Sequence, residues 1–427
     1  TKKLETEIEE IKANKIFENA FEWRFEFPEV LNDDGDFVGF DVVIGNPPYM
    51  LLQTLPKIVE AYLKNIFKTA SYKGDTFGVF IELSNNLTTK QGVINVIVPY
   101  TWISIQQHFE LRKLVLNSLD YIIDLPQKVF EHADLDTTIV QMTKNENRND
   151  TFLIGKAEDD RILVYKSGSK EFCTQNKFWQ INLNIGEFDT NILRKINEIS
   201  SPLDTEFEVS QGYIPYRRSD LIKSYGETEG NRIVDERLWH SDEQLTTEFK
   251  QEIQGKDLSR FRYKESFQYV KYGKHLAGHV DTKFFKSPRV LIMEVTRGNR
   301  YKLTSAFVEK ELYNTPSIIN IIHPKNKTNQ LLFLTGLINS SLFTWYHLKV
   351  NSKAQAKTSI PKILVREVRN LPFPKTDSEI EQKISELAQK AIDSTHEVLE
   401  ELSLKIDQLV YKLYELTEEE IKIIERN

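Results

Sequence analysis

A short apolar run, Phe40-Asp-Val-Val-Ile44, stops at Gly45 and the turn Asn46-Pro-Pro-Tyr49, and this junction constrains the chain more than any other stretch. The run is β-branched and apolar, the pattern of a buried strand. Two consecutive prolines fix φ and remove two amide donors, so the loop that follows is stiff and rich in acceptors. Asn46 offers an amide oxygen, Pro47 a carbonyl and Tyr49 an aromatic face. Together they make a socket for a flat ring carrying an NH2 group. Two acceptors aimed at an exocyclic amine hold its nitrogen lone pair out of conjugation and towards an electrophile, while the ring supplies stacking.

Around this junction the pattern alternates. Helical periodicity covers 2–20, 55–70, 77–88 and 109–119, and buried strands are predicted at 93–98, 121–124 and 137–142. Helices alternating with buried strands predict an α/β sheet. The N-P-P-Y turn behind F-D-V-V-I-G resembles the hallmark loop of the amino-methyltransferases that use S-adenosylmethionine. The phrase F-E-W-R-F-E-F-P-E-V at 21–30 is similar to that of the adenine-specific (N6) DNA methyltransferases fused to nucleases, the type IIG/IIS restriction-modification enzymes. The resemblance implies a Rossmann-like methyltransferase sheet in which Asn46, Pro47, Pro48 and Tyr49 bind an adenine flipped out of the duplex. It also implies an aromatic residue clamping that base opposite Tyr49, and the matching residue is Phe130.

In one respect the chain departs from that family. A pocket for S-adenosylmethionine needs a glycine-rich turn after the first strand, because only glycine lets the backbone come close to the ligand. No such turn precedes Phe40, and 39 residues are too few for three strand-helix units of roughly 30 residues each. The expectation is therefore a partial sheet, the carboxy-terminal half of a methyltransferase domain, inactive by itself, with the main cofactor motif elsewhere. Such a half-sheet leaves Phe40 to Ile44 as an apolar edge, a pairing hazard, so cover by the 2–20 helix or by another chain is expected.

Charge divides the rest. Residues 251–370 hold 21 Lys and Arg against 8 Asp and Glu, whereas 376–427 hold 6 against 14. A basic block in an acidic chain is the footprint of a phosphate-contacting domain. The candidate contacts to double-stranded DNA are Arg217, Arg218, Lys256, Arg260, Arg262, Lys271, Lys274, Arg289, Arg297 and Arg300, interleaved with Tyr and Phe. These phrases resemble the target-recognition domain that follows the catalytic domain in the same family. From Ile380 onwards, apolar steps of three and four predict an amphipathic helix or hairpin, expected to pack on the recognition domain or to self-associate. The predicted organisation is 1–145 for the half methyltransferase domain, 146–200 for a link, 201–375 for an α+β recognition domain and 376–427 for a helical segment.

Other classes are set aside on chemistry. One cysteine, Cys173, rules out an intrachain disulfide and a cysteine zinc cage. His275 and His279 have the spacing of a metal pair but lack the accompanying glutamate, so no metal is expected. The charged first residues and the want of a long apolar span lead to the expectation of a cytoplasmic, bacterial protein without a membrane partner. Two alternatives share some of these features: a protein-glutamine methyltransferase with the same loop, and a non-catalytic DNA-specificity module.

Overall fold

The computed structural model describes residues 23–426 together with 4–6, 9 and 21, apart from 72, 127–128, 131–134, 145–148, 159–160, 176–177, 297, 299, 352–359 and 376–378. The chain divides into two compact units, Thr1–Glu187 and Phe188–Asn427.

A six-stranded sheet organises the first unit. Its strands are β1 (Phe40–Gly45), β2 (Thr88–Pro99), β3 (Leu119–Asp124), β4 (Thr137–Thr143), β5 (Thr151–Glu158) and β6 (Arg161–Ser169), in spatial order β1-β2-β4-β3-β5-β6. β1 runs parallel to β2, and β4 lies antiparallel between β2 and β3. A parallel pair needs a crossover. Helices α1 (Lys57–Ile66) and α2 (Thr76–Leu87) supply it between β1 and β2, and α3 (Phe109–Ser118) leads into β3. Phe77 and Ile81 of α2 and Leu111 and Val115 of α3 join Val96, Val98, Ile122 and Val140 of the strands in one core. This is the α/β sheet that the alternating pattern predicts, with the helices expected at 55–70, 77–88 and 109–119 and the strands at 93–98, 121–124 and 137–142 in place.

Two features differ from the expectations. The stretch read as a link continues the sheet instead: β5 pairs parallel with β3 and forms a hairpin with β6. Phe152 and Ile154 are buried in the same core, which fixes the register of that extension. The expected cover of β1 is also missing among the described residues. Val42 is 61% and Ile44 78% exposed. The turn before β1 brings Phe27 and Phe37 edge-on to Phe40, at 5.4 and 6.3 Å between ring centres, and its cover ends there. Most of the 2–20 helix lies outside the described residues.

In the second unit two four-stranded sheets carry the basic block. One orders Tyr313–Asn314, Phe249–Ile253, Gln268–Lys271 and His240–Ser241; the other orders Ser305–Val308, Arg289–Met293, Ile318–Ile322 and Glu208–Gln211. Ile318–Ile322 is buried at every residue, as a central strand covered on both faces must be. Helices α4 (Thr328–Ile338), α5 (Ser341–Val350), α6 (Glu379–Asp393) and α7 (His396–Leu413) follow. The predicted helical hairpin forms: Ile384, Ala391, Leu402 and Ile406 of the expected apolar positions are buried, with Ala388 and Val410 buried where Leu387 and Leu409 were expected. Asp407 of α7, 1% exposed, accepts from the Ser341 amide at 2.7 Å, the Ser341 hydroxyl at 2.8 Å and the Tyr301 hydroxyl at 2.9 Å. The helical segment is thereby stitched to the rest of the second unit. Among the described residues no helix is long and apolar enough to cross a membrane.

His347 of α5 gives this unit a pH dependence. It is fully buried, takes one hydrogen bond from Asn351 at 2.8 Å, and burial pulls its imidazole down to about 4 from 6.5. Between those values the folded chain binds fewer protons there than the unfolded one, so this contribution is complete above pH 6.5 and is lost as pH falls towards 4. The loss amounts to about 3 kcal/mol at the acid end. His347→Gln is expected to shrink it, seen as a smaller drop in urea midpoint between pH 7 and pH 4 than in the unchanged protein.

Candidate functional site

β1 ends at Gly45, and the loop after it stands at the carboxyl end of a strand parallel to its neighbour, where open α/β sheets place ligands. Pro47 is buried, Tyr49 half-buried, and Asn46 and Pro48 are exposed. The two predicted side chains are brought together. The Tyr49 hydroxyl lies 2.5 Å from Asn46 Oδ1 and 2.9 Å from the Ile97 carbonyl of β2, and its single proton serves both acceptors. Its ring meets Phe77 edge-on with centres 6.4 Å apart. Burial pushes the Tyr49 phenol above its usual range, so it stays protonated and donating.

Beneath the loop lies a support that the sequence pattern did not single out. Thr76, at the start of α2, donates to the Pro48 carbonyl at 2.5 Å and accepts from the Met50 amide at 3.0 Å. Asp75 faces the buried His108, Oδ2 to Nε2 at 3.2 Å. The available signal was Gly74-Asp-Thr76 ahead of an apolar helical run, a helix start of the usual composition.

Phe130 is half-buried, and neighbours 127–128 and 131–134 lie outside the described residues. Among the described residues no strand before β1 ends in a glycine-rich turn, and β1 is open on its outer edge. The described residues thus bring an amide oxygen and an aromatic ring together on one loop, and supply no glycine-rich turn ahead of it. Nor do they gather three or more His, Cys, Asp or Glu side chains that could hold a metal ion.

The ten basic candidates separate by burial. Arg289 is 0% exposed and donates to the carbonyls of Ser287 at 3.1 Å, Lys310 at 3.0 Å and Leu312 at 2.6 Å. Arg262 is spent on the Ala391 and Ser394 carbonyls and the Ser394 hydroxyl. Arg260 donates to the Asn339 carbonyl at 2.9 Å and stacks on Tyr301 at 3.5 Å. These three guanidiniums hold the unit together rather than face a ligand, because buried carbonyls past helix and strand ends need donors. Arg300 is exposed and pairs with Asp407 and Glu425. Arg297 lies outside the described residues. Arg217, Arg218, Lys256 and Lys274 are exposed, and Lys271 is 42% exposed at its side chain. Arg217 pairs with the exposed Asp220, and Arg218 with the exposed Asp235 and, at 2.7 Å, the Asn231 amide oxygen; such surface contacts are weak.

A buried polar chain anchors the segment that carries Arg217 and Arg218. The Tyr213 hydroxyl donates to Glu252, His240 Nε2 lies 3.2 Å from the same carboxyl oxygen, and His240 Nδ1 lies 2.7 Å from the Tyr216 hydroxyl. Burial pushes the Glu252 carboxyl up to about 7 and pulls His240 down to about 4. A network with all these groups partnered rigidifies what it holds.

An α/β sheet with this loop, followed by a basic mixed unit, defines a methyltransferase-type domain joined to a specificity domain. Residues 1–130 match the family model of the Eco57I restriction-modification methylase, and residues 250–373 match that of the TaqI-like C-terminal specificity domain. The chain is homologous to the methyltransferases of type II restriction-modification systems. A protein of Methanocaldococcus jannaschii, named for a type II restriction enzyme and methyltransferase, is 26% identical over 97% of this chain and 34% of its own length. The type II methyltransferase M.HincII of Haemophilus influenzae is 21% identical over 88% of this chain and 83% of its own. The chain thus spans about a third of the first relative and most of the second. Among solved structures, the type IIL restriction-modification enzyme MmeI, determined in complex with DNA, superposes with a TM-score of 0.52 at 13% identity. That match covers 90% of this chain and 56% of MmeI and shows a shared fold.

Proposed function

We propose that this chain is the base-holding and sequence-recognition part of an adenine-N6 DNA methyltransferase in a restriction-modification system. The observation that carries the proposal is the pairing of Asn46 and Tyr49 on a rigid loop at the carboxyl end of β1. A flipped adenine offers an amine to Asn46 Oδ1 and to the Pro47 carbonyl, and takes the Tyr49 hydroxyl's place at Asn46. Its ring stacks on Tyr49, with Phe130 as the opposing clamp, and base stacking of this kind contributes about 1–3 kcal/mol. S-adenosylmethionine, when bound, supplies the electrophilic methyl group. The chain's own part is to orient the amine, and such orientation accounts for much of an enzyme's acceleration. No general base is required before transfer, since the proton leaves afterwards. No described residue is assigned to the cofactor cradle, and the described residues by themselves are expected to be inactive.

Binding of double-stranded DNA is assigned to the second unit, through the cations that have no buried commitments: Arg217, Arg218, Lys256, Lys271 and Lys274. Phosphate contacts release counterions, so each lost contact flattens the salt dependence. Arg217→Ala and Lys274→Ala are each expected to weaken binding uniformly across sequences and to reduce the slope of log K against log salt by about 1. Fluorescence anisotropy over a salt series measures both. Unchanged slopes in both variants would move the DNA face elsewhere.

A further inference from the structure

We infer that Thr76 is the positioning residue of the base-holding loop, an inference that rests on the adenine-N6 reading above. Its hydroxyl binds the Pro48 carbonyl and the Met50 amide at once, at 2.5 and 3.0 Å. These two groups flank Tyr49, so one side chain clamps the backbone on both sides of the residue that carries the stacking ring. Backbone bonds complete the clamp: the Thr76 amide donates to the Met50 carbonyl at 2.8 Å, and the Leu52 amide to the Gly74 carbonyl at 3.1 Å. Thr76 is 5% exposed, which shields these bonds from competing water.

The far end of Tyr49 is held separately, by its hydroxyl on the Ile97 carbonyl at 2.9 Å. Backbone and hydroxyl are therefore fixed by different elements, α2 and β2, and Phe77, next to Thr76, meets the ring edge-on. Asp75, on the other side of Thr76, is anchored to the buried His108 at 3.2 Å. Gly74 keeps the turn ahead of Thr76 tight: a Cβ there would lie 2.7 Å from the Thr69 carbonyl oxygen and 3.4 Å from Leu52 Cδ1 of the loop. When an incoming amine displaces the Tyr49 hydroxyl from Asn46, the Thr76 clamp is the constraint that keeps the ring plane in place. Thr76 reaches no base itself; it acts through Tyr49.

The test compares wild type, Thr76→Val and Thr76→Ser in the protein expressed from its complete gene, with steady-state adenine methylation, DNA affinity and thermal melting. Valine keeps the shape and removes the hydroxyl; serine restores it. Thr76→Val is expected to lower kcat about 10- to 100-fold with KM for DNA within about twofold, and Thr76→Ser to recover most of the rate, at similar melting temperatures. A Thr76→Val enzyme with wild-type kcat overturns the inference. So does a loss that follows a lowered melting temperature and is not rescued by serine, since that marks a structural role only. Absence of adenine methylation in the wild-type protein defeats the reading beneath the inference, and is distinguished by appearing before any substitution is made.

Discussion

Asn46→Ala is expected to lower adenine methylation about 100- to 1,000-fold, the cost of removing one preorganised polar group at a reacting atom. On the proposed reading the effect belongs in kcat, because there Asn46 Oδ1 meets the exocyclic amine only after the base has left the duplex. DNA affinity, assigned to the second unit, stays near the wild-type value. Asn46→Asp is the sharper control. It keeps an acceptor at the same place but adds charge beside the Tyr49 hydroxyl, which lies 2.5 Å from Asn46 Oδ1. A charge-assisted bond there is roughly twice as strong as a neutral one. The aspartate therefore holds Tyr49 more tightly than the incoming amine can match, and is expected to fall between alanine and wild type. Single-turnover methylation with saturating DNA separates these outcomes from any change in binding.

Arg289→Ala is expected to destabilise the second unit by about 3 kcal/mol or more. Its guanidinium satisfies the carbonyls of Ser287, Lys310 and Leu312, and truncation leaves them buried without that donor. Burial pulls this arginine down to about 10 against the opposing pull of Tyr263, Tyr313 and Glu311, a sign of how fully it has left water. Read from sequence as a DNA contact, the same substitution would flatten the salt dependence of binding and leave the urea midpoint alone. The expected result is the reverse: a lower midpoint, and an unchanged salt slope in whatever fraction remains folded.

This contrast marks where sequence stops being informative. The Phe40 to Ile44 run and the Asn46-Pro-Pro-Tyr49 turn were legible because their geometry is set locally, by β-branching and by proline. The helix spans of the first unit followed from periodicity for the same reason. Arg260, Arg262 and Arg289 were not legible as interior groups. Ser-Pro-Arg-Val reads alike whether the cation meets a phosphate or three carbonyls, two of them more than twenty residues away. The β5–β6 hairpin was misplaced because a polar run at 144–150 looks like a boundary, while pairing with β3 is a tertiary event. Thr76 escaped notice because a threonine at a helix start needs no special explanation; only its contact with Pro48 and Met50, 28 and 26 residues away, gives it a role.

The exposed face of β1 follows from the same logic. Val42 and Ile44 have the composition of a buried strand, yet they stand open beside a well-packed β2. A strand that is apolar on an open edge is a pairing hazard.

The most direct measurement is nucleoside mass spectrometry of DNA from cells expressing the protein from its complete gene, beside cells expressing Asn46→Ala. N6-methyladenine present with the wild-type protein and at background with Asn46→Ala is the expected result. No N6-methyladenine with the wild-type protein, or an equal amount with both, would contradict the assignment of the Asn46–Tyr49 loop to adenine.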